Sequence, residues 1–93
     1  DVVIMTFSEF GRRVSQNASG GTDHGTANNM FIIGGGLKKP GFFNPLPTLQ
    51  DLKDGDLQYK IDFRDVYWTI VENCLKASPE HILKGAFQNL GFV

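Results

Sequence analysis

A carboxylate and an imidazole stand side by side in residues 22–25, whose sequence is TDHG. Carboxylate oxygens and imidazole nitrogens both ligate divalent ions such as zinc, so Asp23 and His24 are candidate metal ligands. His24 is also a candidate general acid or base, since histidine exchanges protons readily near neutral pH. The alternative is an ordinary turn, because aspartate and glycine are common turn residues and an exposed histidine needs no role.

Three further charged residues follow a predicted strand at the start of the chain: Glu9, Arg12 and Arg13. Ligands bind at the carboxyl ends of strands in open α/β sheets, so Glu9 is a candidate third metal ligand. The guanidinium groups of Arg12 and Arg13 match phosphate geometry and are candidates for anion binding. The alternative interpretation is an ion pair between Glu9 and one of the two arginines, or plain solvation.

Two other motifs carry no chemistry. The glycines of residues 34–36 lack the spacing of a phosphate-binding loop, and Pro40 disfavours a helix there. Ser8 is not at a nucleophile elbow, because Thr6 occupies the position where that motif needs glycine. The sequence therefore assigns no catalytic nucleophile.

Composition excludes several classes of function. The formal net charge of −1 gives no electrostatic basis for nucleic-acid binding. The apolar runs of residues 2–7 and 30–33 are far too short to span a bilayer. The single cysteine, Cys74, cannot form an internal disulfide, and it is expected as a small buried side chain on the apolar face of a helix.

The apolar pattern predicts the elements that would position these residues. Residues 2–7 form a continuous apolar run typical of a central strand covered on both faces. A polar loop is expected over residues 15–29, and a second buried strand over residues 30–33, in one sheet with the first. Residues 38–55 are expected to be irregular, and residues 57–61 to form a short edge strand.

The later part of the chain predicts two helices. Apolar residues at helical spacing run from Phe63 to Leu75, with Asp62 as the expected N-cap and Asp65 adding negative charge to the first turn. A short helix over residues 79–84 is expected after a Ser78 cap, with Gly85 ending it.

The combination of these motifs is more specific than any one of them. A strand, residues 8–12 (SEFGR), residues 20–26 (GGTDHGT), a second strand and three glycines follow in this order. This order resembles the C-terminal part of a bacterial family known only as domain of unknown function 1501. The resemblance continues through residues 62–67 (DFRDVY) and 83–87 (LKGAF), and so covers nearly the whole chain.

That family looks like the alkaline phosphatase and sulfatase superfamily, which implies an α/β sandwich with a central sheet flanked by helices. Residues 1–93 would then be the C-terminal part of a single larger domain, and would need the N-terminal part of the same protein. The chain starts within a predicted strand, which agrees with this expectation. Many family members carry a twin-arginine export signal, which implies a periplasmic or exported location.

The superfamily's Asp-His metal pair can be placed on this chain in two registers. In the first, Asp23 and His24 are that pair, but the preceding strand is missing because residues 15–21 are polar. In the second, Glu9 takes the place of the aspartate and His24 matches a later metal-binding histidine. A predicted strand then precedes Glu9 and another follows His24, as in the superfamily. The second register is preferred, although Phe10 then stands where a histidine ligand would be.

The resemblance implies a metal-dependent hydrolase of phosphate or sulfate esters, with zinc, magnesium, calcium or manganese as the cofactor and a small anionic ester as the substrate. The superfamily's nucleophile lies upstream of the matched region. The alternative is a non-catalytic binding or scaffold protein of the same fold with a degraded metal site, which Phe10 favours. A free-standing small binding module is the least favoured hypothesis, because the chain starts within a strand.

Overall fold

The computed structural model describes residues 2–93, in which strands and one helix mix in an α/β kind of fold. Two compact units are present. One comprises residues 2–3, Ile33–Phe43 and Ile61–Val93, and the other Ile4–Ile32 and Asn44–Lys60. The strands are β1 (Val3–Met5), β2 (Gly11–Gln16), β3 (Thr22–Gly25), β4 (Ile32–Gly34), β5 (Leu52–Lys53) and β6 (Asp56–Leu57). The helix α1 spans Phe63–Asn73, and a short 3-10 helix spans Pro79–His81.

Strands β1 and β4 pair with each other, which confirms that the two predicted apolar strands lie in one sheet. Both are shorter than the apolar runs that predicted them. In the second unit, the Thr6 amide donates to the Phe31 carbonyl oxygen at 3.0 Å, and the Phe31 amide donates to Thr6 Oγ1 at 2.8 Å. The expected burial on both faces is not found within residues 2–93, because Ile4 and Ile33 remain 55% and 59% exposed.

The expected loop over residues 15–29 is wrong, because β2 and β3 form an antiparallel hairpin. The turn of the hairpin is built around Asn17, whose Oδ1 accepts the amides of Ser19 and Gly21 at 3.0 Å each. Gly20 adopts φ +81°, a left-handed conformation that suits glycine. The ribbon is polar, so apolar patterning gave no strand signal, and Asp23 and His24 lie on a strand instead of a loop.

A second hairpin replaces part of the region expected to be irregular. Strands β5 and β6 pair antiparallel through Asp54 and Gly55, with φ of +54° and +83°. Positive φ at both central residues is typical of the tight turn that favours Asp-Gly. The expected strand over residues 57–61 is therefore wrong, since β6 ends at Leu57.

Helix α1 begins and is capped as the sequence predicts. Asp62 accepts the Arg64 amide at 2.9 Å, and Asp65 lies in the first turn. At the other end Cys74 is the C-cap and is half-buried with a free thiol, whereas full burial was expected. The expected helix over residues 79–84 is wrong, because the 3-10 turn ends at His81, before Gly85.

Side chains one helical turn apart on α1 hold the last residues of the chain. Thr69, which is fully buried, donates from Oγ1 to the Asp65 carbonyl oxygen at 2.8 Å and accepts the Leu90 amide at 2.9 Å. The Asp65 carboxylate accepts the Gln88 amide at 3.0 Å, and Asn73 Nδ2 donates to the Val93 carbonyl oxygen at 2.7 Å. Residues 88–93 are thus attached to the helix through their backbone groups.

Candidate functional site

The hairpin of β2 and β3 sets Arg12 directly opposite His24. Directly opposed residues of an antiparallel pair lie on the same face, with Cβ atoms about 4.5–5.5 Å apart. Both residues are exposed, and Arg12 Nη1 donates to the Thr22 carbonyl oxygen at 2.8 Å. This arrangement, named here the Arg12–His24 pair, places an arginine and a histidine opposite each other on one exposed surface.

The ring of Phe10 stacks on the imidazole of His24, with centroids 3.6 Å apart and planes 13° apart. The Arg12 Cζ atom lies 5.2 Å from the centroid of the same ring. Within the described part of the chain, neither ring nitrogen of His24 makes a hydrogen bond, so the ring contact holds the imidazole while its edge stays available. Phe10 is the residue that stands where the preferred register expected a histidine ligand.

Asp23 does not share a face with His24. Successive side chains of a strand point to opposite faces of the ribbon, so these neighbours are directed apart. Asp23 Oδ1 accepts a hydrogen bond from Asn17 Nδ2 at 3.0 Å, which ties β3 to the turn residue. In this structure Asp23 supports the hairpin turn, and its role as a metal ligand stays a prediction.

The two adjacent arginines have different partners. Arg13 is half-buried, and its guanidinium donates through Nη2 to the Asp54 carbonyl oxygen. Gly55 lies so close to this guanidinium that a Cβ at that position would overlap it. Arg13 therefore anchors the β5–β6 turn, whereas Arg12 stays on the exposed face beside His24.

Glu9 is exposed, directly before Phe10 in the chain. Among residues 2–93, Glu9 forms no ion pair with Arg12 or Arg13. The ion pair found in these residues joins Arg64 to Asp62. Within the same residues no group of three or more histidine, cysteine, aspartate or glutamate side chains is placed to hold a metal ion. The structure therefore brings Arg12, His24 and Phe10 together. It does not gather Glu9, Asp23 and His24 into a three-ligand metal site.

Sequence reasoning missed an open cleft beside the β5–β6 turn. Its volume is about 550 Å³, and it is lined by Thr26, Lys53, Asp54, Asp56, Leu57, Gln58 and Tyr59. Asp56 Oδ1 accepts the Thr26 amide at 3.3 Å, which links this cleft to the residues after β3. The Asp-Gly turn signal was the one feature of the sequence that could have indicated it.

Residues 1–80 match the family described as "Protein of unknown function (DUF1501)", and the chain belongs to that family. The matched residues include the whole β2–β3 hairpin, the Arg12–His24 pair and helix α1. No curated protein and no solved structure matches the chain. Among the described residues, no helix has the length and apolar character needed to cross a membrane.

Proposed function

We propose that the protein binds small phosphate or sulfate esters at the Arg12–His24 pair, as a binding member of an alkaline-phosphatase-like fold whose metal site is degraded. The observation that carries this proposal is the exposed cross-strand pair itself, with Phe10 stacked on His24. A guanidinium carries five N–H donors and no acceptor, and one of those of Arg12 is used by the Thr22 carbonyl oxygen. The other four could donate to an anionic oxygen.

The neighbouring imidazole strengthens this arrangement. Charge-assisted hydrogen bonds to an oxyanion are stronger than neutral ones, and arginine binds such groups bidentately. His24 adds a ring N–H donor on the same face of the hairpin. An anionic ester group that accepts hydrogen bonds from the N–H groups of both side chains would thus be bound by both.

The residues present do not fit a complete metal site. Structural and catalytic zinc sites use three or four protein ligands, and residues 2–93 bring no such group together. Asp23 and His24 are directed to opposite faces, and an aromatic ring lies against His24 in place of a second ligand. The side chains of Arg12 and His24 would therefore bind an anion directly, without a metal ion.

A metal-dependent hydrolase of phosphate or sulfate esters is the second candidate, favoured by the unbonded edge of His24 within the described residues. A bound zinc, magnesium, calcium or manganese ion would polarise the ester oxygen and activate a nucleophile. Glu9 and Asp23 would then have to move toward His24, or further ligands and the nucleophile would come from other parts of a longer protein. Metal analysis of the purified full-length protein separates the two candidates.

We also propose that the chain is the C-terminal part of a single larger α/β sandwich, and that the protein is exported or periplasmic. Support for the larger domain comes from the exposed apolar side chains of β1 and β4, which another layer would cover. Support for the location comes from the export signals seen in the family that the chain resembles.

Calorimetric titration of the full-length protein with inorganic phosphate and with sulfate tests the proposed site. Arg12→Gln should weaken binding about 10- to 100-fold, because it removes charge-assisted hydrogen bonds. Lys60→Gln is the matched control, since Lys60 is an exposed cation outside the site. Equal affinities for the wild type and Arg12→Gln would contradict the proposal.

A further inference from the structure

The imidazole of His24 is held by one ring contact. Phe10 lies flat against it at 3.6 Å, and within residues 2–93 no hydrogen bond fixes the ring nitrogens. An exposed histidine without such a contact samples several side-chain rotamers, and each residue ordered at a binding site carries an entropic cost. The stack with Phe10 therefore limits the orientations of the His24 ring before any ligand arrives.

Phe10 is itself fixed through its backbone. Its carbonyl oxygen accepts Ser8 Oγ at 2.8 Å and Asn28 Nδ2 at 3.3 Å, and its amide donates to Ser8 Oγ at 3.4 Å. Ser8 lies two residues earlier in the chain, whereas Asn28 follows β3. Hydrogen bonds with one residue before β2 and one after β3 thus hold the backbone of Phe10.

The same aromatic ring also faces Arg12, whose Cζ atom lies 5.2 Å from the ring centroid. A cation at this distance from an aromatic ring is attracted by its π-electrons. One phenyl ring therefore contacts both members of the Arg12–His24 pair. No other side chain in the described residues makes a ring contact with His24.

We infer that Phe10 is a positioning residue that pre-orients His24 and Arg12 for an anionic ester, and that Ser8 and Asn28 position Phe10. This inference rests on the proposed binding function and gives a role to the residue that stands where a metal ligand was expected. Phe10 does not touch the anion and acts through its two neighbours.

The test combines a spectroscopic signature with affinity, both in the full-length protein. The phenyl ring current should shift the carbon-bound ring protons of His24 upfield in the NMR spectrum without any ligand. Phe10→Leu should remove that shift and weaken binding of inorganic phosphate about threefold to tenfold. Phe10→Tyr keeps the stacked ring and should restore both.

Asn28→Ala provides a second variant that leaves the phenyl ring in place. It should reduce the upfield shift and the phosphate affinity together, by less than Phe10→Leu does. Unchanged His24 signals and affinity in folded Phe10→Leu, or a loss in Phe10→Tyr equal to that in Phe10→Leu, would overturn the inference while leaving the anion site intact. Absence of phosphate binding by the wild type overturns the proposed function and, with it, this role of Phe10.

Discussion

The phenyl ring of Phe10 lies almost parallel to the imidazole of His24, with centroids 3.6 Å apart. The two residues come from either side of the β2–β3 hairpin, where Gly11 and Gly25 are paired directly beside them. In our proposal, this contact favours an anion over a metal ion at His24. An imidazole stacked on a phenyl ring keeps its edge for an anion but has no second imidazole beside it to share a metal ion.

Thr69 should be a main determinant of the attachment of residues 88–93. Thr69→Val removes the acceptor of the Leu90 amide inside a fully buried site, so the free energy of unfolding should fall by about 1–3 kcal/mol. Urea denaturation of the full-length protein measures this change. Hydrogen exchange at the Leu90 amide should become faster in the same variant.

Thr69→Ser is the matched control for that prediction. Serine keeps the hydroxyl that donates to Asp65 and accepts from Leu90, and loses only a methyl group. Its Leu90 amide should stay protected. If serine and valine raise the exchange rate of Leu90 equally, packing of the methyl group is the cause and the hydrogen bond is not.

Asp62 should add stability that depends on pH. The hydrogen bond from the Arg64 side chain is the main reason that the pKa of Asp62 is lowered from its ordinary value of 3.8. The folded pKa lies below the unfolded one, so this stability is complete above the unfolded pKa and is lost as pH falls through the folded pKa.

Two variants separate the charge of Asp62 from its helix cap. Asp62→Ala should lower the free energy of unfolding by about 1 kcal/mol at neutral pH, because the cap on the Arg64 amide is lost. Asp62→Asn keeps a capping oxygen and should lose less. Chemical denaturation at pH 7 and at about pH 2 checks this: an Asp62→Asn difference that stays the same at both values would refute the role of the charge.

Gly11 should tolerate no side chain. A Cβ at this buried position would overlap the Ala27 carbonyl oxygen, so Gly11→Ala should destabilise the hairpin by about 1–3 kcal/mol or more. Phosphate affinity should fall as well, because Arg12 is the next residue. Gly35→Ala is the control, since a Cβ there meets nothing within 4 Å. Similar melting temperatures for the two variants would contradict this account of Gly11.

The 93-residue chain alone should be poorly stable. Among the described residues, the buried apolar side chains are those of Val71 and Pro79, whereas Val2, Phe7 and Phe42 are 74%, 75% and 82% exposed. With so little apolar surface removed from water, the free energy of unfolding should be below about 3 kcal/mol. A cooperative melt of monomeric residues 1–93 at high temperature would contradict this expectation.

The sequence predicted the elements that depend on apolar periodicity and capping. Helix α1 and its Asp62 cap follow from apolar spacing and from a short acidic side chain before the first turn. The pairing of β1 with β4 followed from two β-branched apolar runs. Each of these signals is local or repeats with a fixed period.

Apolar periodicity and capping could not predict the hairpin that carries the candidate site. Strands β2 and β3 are polar on most positions, and what holds them together is cross-strand hydrogen bonding and the Asn17 turn. The opposition of Arg12 to His24 depends on register, which a polar strand specifies weakly in its sequence. Arg12 and Arg13 have separate roles because successive side chains of a strand point to opposite faces. The strand that carries them, β2, was not predicted.

We propose above all that Arg12 and His24 bind one anion together without a metal ion. An NMR titration of the full-length protein with inorganic phosphate, in the presence of EDTA, tests it most directly. The Arg12 side-chain N–H signals and the His24 ring signals should shift along a single binding curve. If neither residue responds, or if both respond only after zinc is added, the claim is contradicted.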